Sequence, residues 1–234
     1  MSQRIDQLKQ AWDERESRLG LTKRAVLFKR FPGWLNESIH RRHVRFVLRN
    51  ISRDTRSLLD VGCGYGRISM EIKRRYPNIV FQGVDLCTEF ATAYEQEIGR
   101  CFEGPVQNFE SDSNYDVIII VTTLMYLDAE EHRPILTRLW SSLNAGGCLL
   151  CIEPAVDSLA WWRKLAGNAF TSPTGGTVYH FDKAELKALV CSLDGAVLHA
   201  SRSIGMIPLL PAPILHHAIG VRKDDELRVQ KAVA

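Results

Sequence analysis

The stretch LLDVGCGYGRI, Leu58 to Ile68, decides the fold of this chain. An apolar run typical of a buried strand ends at Asp60, three glycines follow on alternate positions, and a helical pattern then begins. The three glycines are Gly62, Gly64 and Gly66. Glycine lacks a Cβ, so the backbone can adopt positive φ and approach a ligand closely. Because the free N–H groups of the following helix point to the same place, the stretch predicts a nucleotide-binding turn.

Around this turn, apolar strand-like segments alternate with amphipathic helical segments, which is typical of an α/β fold with a mostly parallel sheet. The predicted strands are 57–61, 79–86, a short one near 101–109, 115–122, 148–154, 196–203 and 215–223. The predicted helices are 67–76, 89–98, 133–143, 157–170 and one that starts at Asp182. Asn144 to Gly147 is interpreted as a helix stop and 171–177 as a loop. Asp182 and Glu185 form a capping box.

Size and composition indicate one main domain. The chain has 234 residues, of which 45% are hydrophobic, and this suits a single core. No apolar run reaches the roughly 18 residues of a membrane span, and the polar N-terminus lacks the apolar core of a signal peptide. We therefore expect a cytoplasmic protein.

The first fifty residues differ in charge from the rest of the chain. They hold 12 Lys/Arg against 5 Asp/Glu, whereas the remaining residues hold 18 against 22. This segment, 1–50, is predicted to be an N-terminal helical lid, and 51–234 the main domain. Its basic character favours an anionic partner, although a solvated helix face explains the charge equally well.

The segment AVLFKRFPGWL within the lid combines aromatic and basic side chains. Its aromatic residues are Phe28, Phe31 and Trp34, and Pro32-Gly33 separates two predicted helices around them. Such a segment can rest on an anionic membrane as a peripheral contact. The alternative is an ordinary lid that packs on the sheet.

Six cysteines lie mostly inside apolar runs, which is typical of buried free thiols rather than of a disulfide framework. Cys148 and Cys151 form a CxxC within a predicted strand. Residues three apart on a strand face opposite sides, so the two thiols cannot hold one metal ion. We expect no metal site.

The spacing of the glycines in the turn indicates which class of nucleotide it binds. Dinucleotide-binding turns read GxGxxG, whereas here the third glycine comes one residue early and Asp60 precedes the first. A carboxylate at that point repels pyrophosphate and suits a cationic group. Asp85 ends the second strand, where an acid can accept both ribose hydroxyls. A ribose, no phosphate and an ammonium group together match S-adenosylmethionine.

Four segments resemble, in order, the motifs of the class I S-adenosylmethionine-dependent methyltransferases. LLDVGCGYG is similar to the first motif, GVDL to the second, YDVIIIVTTLMYL to the fourth-strand motif and NAGGCLLCIEP to the fifth. The resemblance covers about a hundred residues, from Arg56 to Pro154. It implies a Rossmann-like sheet of seven strands with helices on both faces and the last strand antiparallel.

The resemblance also implies roles for eight residues. Asp60 and Gly62 would lie near the methionine amino group, and Asp85 would hold the ribose. Thr122 would approach the methionine part and Leu86 would flank the adenine. The turn would be shaped by Cys63, Gly64 and Gly66.

The chain departs from the family in the loop after strand three. The family often has an acid there that binds the adenine amine, but this chain reads EGPVQNF, with Pro105 near that position. Val106 and Gln107 are therefore expected to contact the adenine through their backbone and amide groups.

The resemblance indicates a small-molecule acceptor such as a metabolite, a natural product or a lipid-like compound. The fourth-strand motif ends in TTLMY, which lacks the Asn/Asp-Pro-Pro-Tyr pattern of exocyclic-amine nucleic acid methylases. The basic excess of the first fifty residues is also modest for RNA binding. We therefore expect no nucleic acid partner. The sequence does not determine the oligomeric state, and a methyltransferase-like domain without catalysis remains an alternative function. A dehydrogenase is disfavoured by the glycine spacing.

Three residues are candidates for catalysis, because methyl transfer needs a positioned nucleophile and, for some acceptors, a base. Tyr126 follows strand four, and Tyr179 and His180 precede a helix. His180 is the favoured base because neutral imidazole is available near pH 7. The alternative for His180 is a polar surface group, and His132 is expected to be exposed.

Overall fold

The computed structural model describes residues 3–29, 31–156, 169–171, 177–205 and 214–224. The helices are α1 (Gln3–Leu19), α2 (Lys23–Val26), α3 (Gly33–Asn50), α4 (Ser69–Arg75), α5 (Thr88–Glu97), α6 (Ala129–Ser141) and α7 (Lys183–Cys191). The strands are β1 (Ser57–Val61), β2 (Val80–Asp85), β3 (Arg100–Glu103), β4 (Tyr115–Val121), β5 (Leu143–Pro154), β6 (Ala169–Thr171), β7 (Thr177–Tyr179), β8 (Ala196–Gly205) and β9 (Ile214–Lys223). Short 3₁₀ helices cover Val106–Asn108 and Leu124–Tyr126.

Seven strands form one sheet in the order β3-β2-β1-β4-β5-β9-β8. All neighbours pair in parallel except β9, which is antiparallel to both β5 and β8. The predicted Rossmann-like sheet of seven strands with an antiparallel last strand is therefore confirmed. The remaining strands, β6 and β7, pair with each other in a separate hairpin.

Successive residues of the central strands enter opposite faces of the sheet, as the two-residue period of a strand requires. Leu58 packs in one cluster with Phe46 of α3 and Ile72 of α4. Leu59 packs in the other with Leu136 of α6 and Leu186 of α7. Helices thus cover both faces, which explains the nearly continuous apolar strands. The helix α3, which follows Pro32 in the proposed lid, belongs to one of these layers.

The same period separates the two cysteines of the CxxC. Cys148 lies in the cluster of Leu58 and Cys151 in the cluster of Leu59. Their predicted orientation to opposite faces is confirmed.

The sheet order brings the carboxyl ends of β1 and β4 together at the point where the chain reverses its direction of winding. Asp60 on β1 stands beside Gly83 of β2 and Ile119 of β4. In open α/β sheets, a ligand crevice lies outside the strand ends at such a switch point. The fold therefore places the glycine turn, the end of β2 and the loop after β4 around one crevice.

Several local predictions were wrong or lie outside the described residues. β5 begins at Leu143 instead of residue 148, so Asn144 to Gly147 is strand and not a helix stop. The predicted helix over 157–170 falls outside the described residues except at its end, where Ala169 and Phe170 are in β6. The predicted loop 171–177 begins and ends in paired strands. In the part of the chain that is described, no helix combines the length and hydropathy that crossing a bilayer requires.

Candidate functional site

A cavity opens at the carboxyl ends of β1, β2 and β4 and encloses, with its mouth, about 1000 Å³. Nine of the ten residues predicted to bind a cofactor line it. They are Asp60, Gly62, Cys63, Gly64, Asp85, Leu86, Val106, Gln107 and Thr122.

Gly66, the tenth residue, has a packing role that the sequence did not reveal. It is absent from the lining of the cavity, and its φ is +82°. A Cβ at Gly66 would overlap the Cδ1 of Ile98 and lie 3.0 Å from the ring of Tyr94. The third glycine therefore allows α5 to pack closely against the turn.

Two carboxylates face the cavity from neighbouring strands. Asp60 is 3% exposed, and its Oδ2 accepts a hydrogen bond of 2.6 Å from the hydroxyl of Ser69. Burial raises the pKa of Asp60 to about 7, against the opposing effects of Ser69 and Arg67. Burial also raises the pKa of Asp85 to about 6. Both acids are costly to bury as anions, so a cationic or hydroxyl-bearing ligand would compensate them.

Arg67 places a guanidinium in the wall of the same cavity. It is 7% exposed, and its nitrogens lie 3.4 Å from His40 Nδ1 and 3.3 Å from His43 Nδ1. Among the ion pairs of the described residues, none involves Arg67. Burial lowers the pKa of Arg67 to about 10, so the group stays cationic near pH 7. Arg67 and Asp60 thus both line the cavity without a direct ion pair between them.

The histidines behind Arg67 form a buried chain. His43 Nε2 lies 3.3 Å from Nδ1 of His216, and the two rings meet edge to face. Burial lowers the pKa of His40 to about 4 and that of His216 to about 3. The rings are therefore neutral near pH 7 and can accept hydrogen bonds from Arg67. His40 and His43 are themselves buried.

Glu153 of β5 holds the loop after β4 by accepting three backbone hydrogen bonds from it. The Oε1 of this carboxylate accepts the backbone N–H of Thr123 at 3.0 Å and that of Leu124 at 2.9 Å. Its Oε2 accepts the N–H of Met125 at 3.2 Å. Glu153 is fully buried, and burial raises its pKa to about 8. These bonds hold the loop in place around Thr122, whose φ of +58° is costly for a β-branched residue.

The short 3₁₀ turn after β3, Val106–Asn108, is also anchored by a side chain. Arg138 donates to the carbonyl oxygens of Val106 at 2.5 Å and Gln107 at 2.8 Å. The amide nitrogen of Gln107 donates to Glu131 at 3.0 Å. Both carbonyls and the Gln107 amide therefore already have partners within the protein.

The first helix, α1, covers the cavity. Ile5, Leu8 and Trp12 line it, and the Trp12 ring packs edge-on against Phe90 and Tyr126 at centroid distances of 6.3 and 5.5 Å. The helix has no buried residue of its own and is docked over the cavity by this face.

Polar contacts at the rim hold α1 in place. Arg4 lies 2.5 Å from Asp128 and 3.1 Å from Glu131, and it also donates to the carbonyl of Tyr126. Further along the helix, Lys9 donates to the carbonyl of Leu86 at 3.1 Å.

The three catalytic candidates do not share one location. Tyr126 lines the cavity, and burial raises its pKa to about 12. Tyr179 and His180 lie outside the cavity lining. The hydroxyl of Tyr179 donates to Glu185, its ring packs on His132, and burial lowers the pKa of His180. The capping box of Asp182 and Glu185 is confirmed.

His132 was expected to be exposed, and this was wrong. It is 4% exposed, and its Nε2 lies 2.9 Å from the carbonyl oxygen of Leu124. The rings of Tyr179 and Phe181 cover it at centroid distances of 5.1 and 5.2 Å. The hairpin strand β7 thus buries the start of α6, which sequence alone did not indicate.

Several lining residues were missed by sequence reasoning. Arg67 directly follows the glycine motif, and this adjacency was the available signal. Ile5, Leu8 and Trp12 recur at three and four residues within an otherwise polar helix, which is the spacing of one helical face. Glu153 was visible only as a lone acid at the end of an apolar strand.

Comparison with known proteins finds similarity to methyltransferases. Residues 58–147 match the model of a methyltransferase domain. A trans-aconitate 2-methyltransferase of Deinococcus radiodurans is 30% identical over 124 residues, which are 51% of this chain and 46% of that protein. The chain spans about half the length of the curated relatives it matches.

Two solved structures share the fold. The 1,6-didemethyltoxoflavin-N1-methyltransferase of Burkholderia thailandensis, solved with S-adenosylhomocysteine, superposes with a TM-score of 0.64 at 19% identity over 82% of this chain and 81% of that chain. The magnesium protoporphyrin IX methyltransferase of Synechocystis superposes with a TM-score of 0.67 at 12% identity over 94% of this chain and all of the other. At these identities the likeness concerns the fold alone.

Proposed function

We propose that this chain, which carries a class I S-adenosylmethionine-dependent methyltransferase domain, transfers the methyl group of S-adenosylmethionine to a small-molecule acceptor. The observation that carries the proposal is the set of nine predicted cofactor residues around one cavity. The curated relative that methylates trans-aconitate by its name supports a small acceptor for this chain as well.

The donor set of the cavity fits this cofactor. Asp60 offers a carboxylate to an ammonium group, and Arg67 offers a cation to a carboxylate, so the pair is complementary to an amino-acid group. Asp85 offers its carboxylate to ribose hydroxyls, and Leu86 and Val106 offer apolar contacts to a base. When bound, the cofactor supplies a methyl group on a sulfonium, which an acceptor nucleophile can attack in line.

The chain's own residues would position the acceptor and handle its proton. Tyr126 faces the cavity, and its raised pKa keeps the hydroxyl protonated, so we propose that it donates a hydrogen bond to the acceptor. We also propose that Tyr179 and His180, which lie outside the lining of the cavity, take part in proton transfer. Burial lowers the pKa of His180, which keeps its imidazole neutral near pH 7.

A second proposal concerns the basic aromatic segment. Phe28 and Phe31 stack on each other with a centroid distance of 4.6 Å, and Phe28 also packs on His216. This packing supports a lid, whereas Trp34, which is 65% exposed, remains available for a peripheral contact with an anionic membrane. We propose that any such contact depends on Trp34.

Calorimetry with S-adenosylhomocysteine tests the cofactor assignment, and incubation of a metabolite extract with a methyl-labelled donor tests turnover. We expect binding in the first experiment and a labelled small molecule, identified by mass spectrometry, in the second. Binding without any labelled product would favour the non-catalytic alternative. Absence of S-adenosylhomocysteine binding, together with binding of a nicotinamide cofactor, would reject the proposal in favour of a dehydrogenase.

A further inference from the structure

Two cysteine sulfurs meet at the edge of the cavity. Cys63 lies in the glycine turn and lines the cavity, and Cys101 lies on β3. Their Sγ atoms are 3.7 Å apart, and neither cysteine is in a disulfide. The two residues are 38 positions apart in sequence, so this contact is a product of the fold.

The contact exists because Gly83 on β2, the strand between them, has no side chain. Gly83 pairs with Asp60 on one side and with Cys101 on the other. A Cβ on Gly83 would lie 2.8 Å from the Sγ of Cys63, closer than real Cβ atoms come to a neighbour. The space that this glycine leaves open is thus needed by the Cys63 sulfur, which lies 3.7 Å from that of Cys101.

We propose that Cys63 and Cys101 are an oxidation site, at which a peroxide closes a disulfide that weakens binding in the adjoining cavity. The inference about binding rests on the proposed function, whereas the formation of the disulfide does not.

The reaction balances with one molecule of peroxide. Cys101 is partly exposed, whereas Cys63 is 5% exposed and burial raises its pKa, so Cys101 is the thiol assigned to the first step. Peroxide oxidises the Cys101 sulfur to a sulfenic acid and is reduced to water. The Cys63 sulfur then attacks the Cys101 sulfur, its proton leaves with the sulfenic hydroxyl as a second water, and the S–S bond forms. Two thiols lose two electrons in total.

Closure of this bond would displace the glycine turn. A disulfide has an S–S distance of about 2.05 Å, so the sulfurs must approach by about 1.6 Å. The backbone N–H of Cys63 donates to the carbonyl of Val84, and that of Gly64 donates to Asp85 at 2.7 Å. A shift of Cys63 towards β3 therefore strains the contact that fixes the ribose-binding carboxylate.

The other thiols offer a matched comparison. Cys191, at the end of α7, is also half-exposed, and no contact of its sulfur with another sulfur is found among the described residues. Cys191→Ser is therefore the control for Cys101→Ser, with Cys101→Ala as a second variant should the serine disturb β3.

The test treats wild type, Cys101→Ser and Cys191→Ser with hydrogen peroxide and maps their tryptic peptides by mass spectrometry. We expect wild type and Cys191→Ser to lose two hydrogen atoms and to link the peptides of Cys63 and Cys101, reversibly with dithiothreitol. Cys101→Ser should show no such link. Sulfinic acid at Cys101 without the link, or a link to another cysteine, would overturn the proposal.

Calorimetry with S-adenosylhomocysteine before and after oxidation tests whether the disulfide weakens binding in the cavity. We expect the Kd of wild type and Cys191→Ser to rise about tenfold, equivalent to the loss of one charge-assisted hydrogen bond, and that of Cys101→Ser to stay unchanged. An unchanged Kd in linked wild type would overturn the regulatory claim. If reduced protein does not bind S-adenosylhomocysteine, the proposed function fails, and the peptide map alone still decides whether the pair oxidises.

Discussion

The Oδ2 of Asp85 lies 2.7 Å from the backbone nitrogen of Gly64, which ties the end of β2 to the glycine turn after β1. The other carboxylate oxygen of Asp85 accepts the N–H of Cys87 at 2.9 Å. One side chain therefore fixes both the turn and the start of α5. Asp85 also lines the cavity, so the remaining lone pair of its second oxygen would be a preformed acceptor for the ribose hydroxyl of the proposed cofactor.

Asp85→Asn should weaken binding of S-adenosylhomocysteine. The amide keeps the size of the side chain but loses the charge-assisted bonds to hydroxyl and N–H donors, so we expect the Kd to rise about tenfold to a hundredfold. Calorimetry near pH 7.5 measures it. The exposed Glu97→Gln on α5 is the matched control and should bind as wild type does. Equal Kd values for wild type and Asp85→Asn would remove Asp85 from the site.

Gly66→Ala should destabilise the fold more than it affects ligand binding. The added methyl overlaps Ile98 and requires an L-residue at a φ of +82°. Strain and overpacking together predict a loss of about 2–5 kcal/mol in the free energy of unfolding. Urea denaturation measures it, and the double variant with Ile98→Ala should recover the part due to overlap. A Gly66→Ala protein as stable as wild type would contradict the packing role.

Arg4→Met should loosen α1 without disturbing the sheet. Arg4 bonds to Asp128, Glu131 and the carbonyl of Tyr126, and its side chain is 30% exposed. After allowance for solvent screening, we expect a loss of about 1 kcal/mol, or about fivefold faster amide exchange in α1.

Hydrogen–deuterium exchange followed by mass spectrometry measures this effect. Arg18→Met is the control on the same helix, because the Arg18 side chain is 79% exposed and its ion pair with Glu14 is long, at 3.9 Å. Faster exchange in the central strands as well would show that Arg4 supports the whole fold and not the lid.

Glu153→Gln should flatten part of the dependence of stability on pH. The pKa of Glu153 is raised from 4.5 to about 8 in the folded protein, so between these values the folded state holds a proton that the unfolded state lacks. Stability from this group is therefore present at low pH and lost as the pH rises towards 8. Glutamine cannot ionise and resembles the protonated acid.

Thermal unfolding of the two proteins from pH 5 to pH 8.5 measures this difference. We expect the Tm of wild type to fall more steeply with rising pH than that of Glu153→Gln. Glu110→Gln, at an exposed position, should follow wild type. Parallel curves for Glu153→Gln and wild type would mean that Glu153 is not buried as a titrating acid.

Trp34→Ala should weaken sedimentation of the protein with anionic vesicles through the proposed membrane contact of the N-terminal segment. Burial of an indole in the interface contributes about 2 kcal/mol, so we expect at least about tenfold weaker binding than wild type. Val80→Ala is the control, because Val80 is 72% exposed at the amino end of β2, away from this segment. Negligible sedimentation of wild type would leave the segment as a lid only.

Sequence reasoning predicted the sheet well because strands and helices of this fold have different local periods. β1, β2 and β4 begin and end within a residue of the predicted limits. The hairpin of β6 and β7 was missed, since three-residue strands carry too little periodicity to be recognised. The site was predicted where it depends on a contiguous motif, as for Asp60 and Gly64.

The sequence by itself determined the order of the motifs along the chain, the glycine turn and the acids Asp60 and Asp85. Each of these depends on neighbours along the chain. Only the tertiary structure decided that Gly66 packs on α5 and that Glu153 holds the loop after β4. It also decided that Arg67 lines the cavity beside buried histidines. These roles arise from contacts between residues far apart in sequence. Burial then sets the charge and orientation of each group, and no local pattern encodes it.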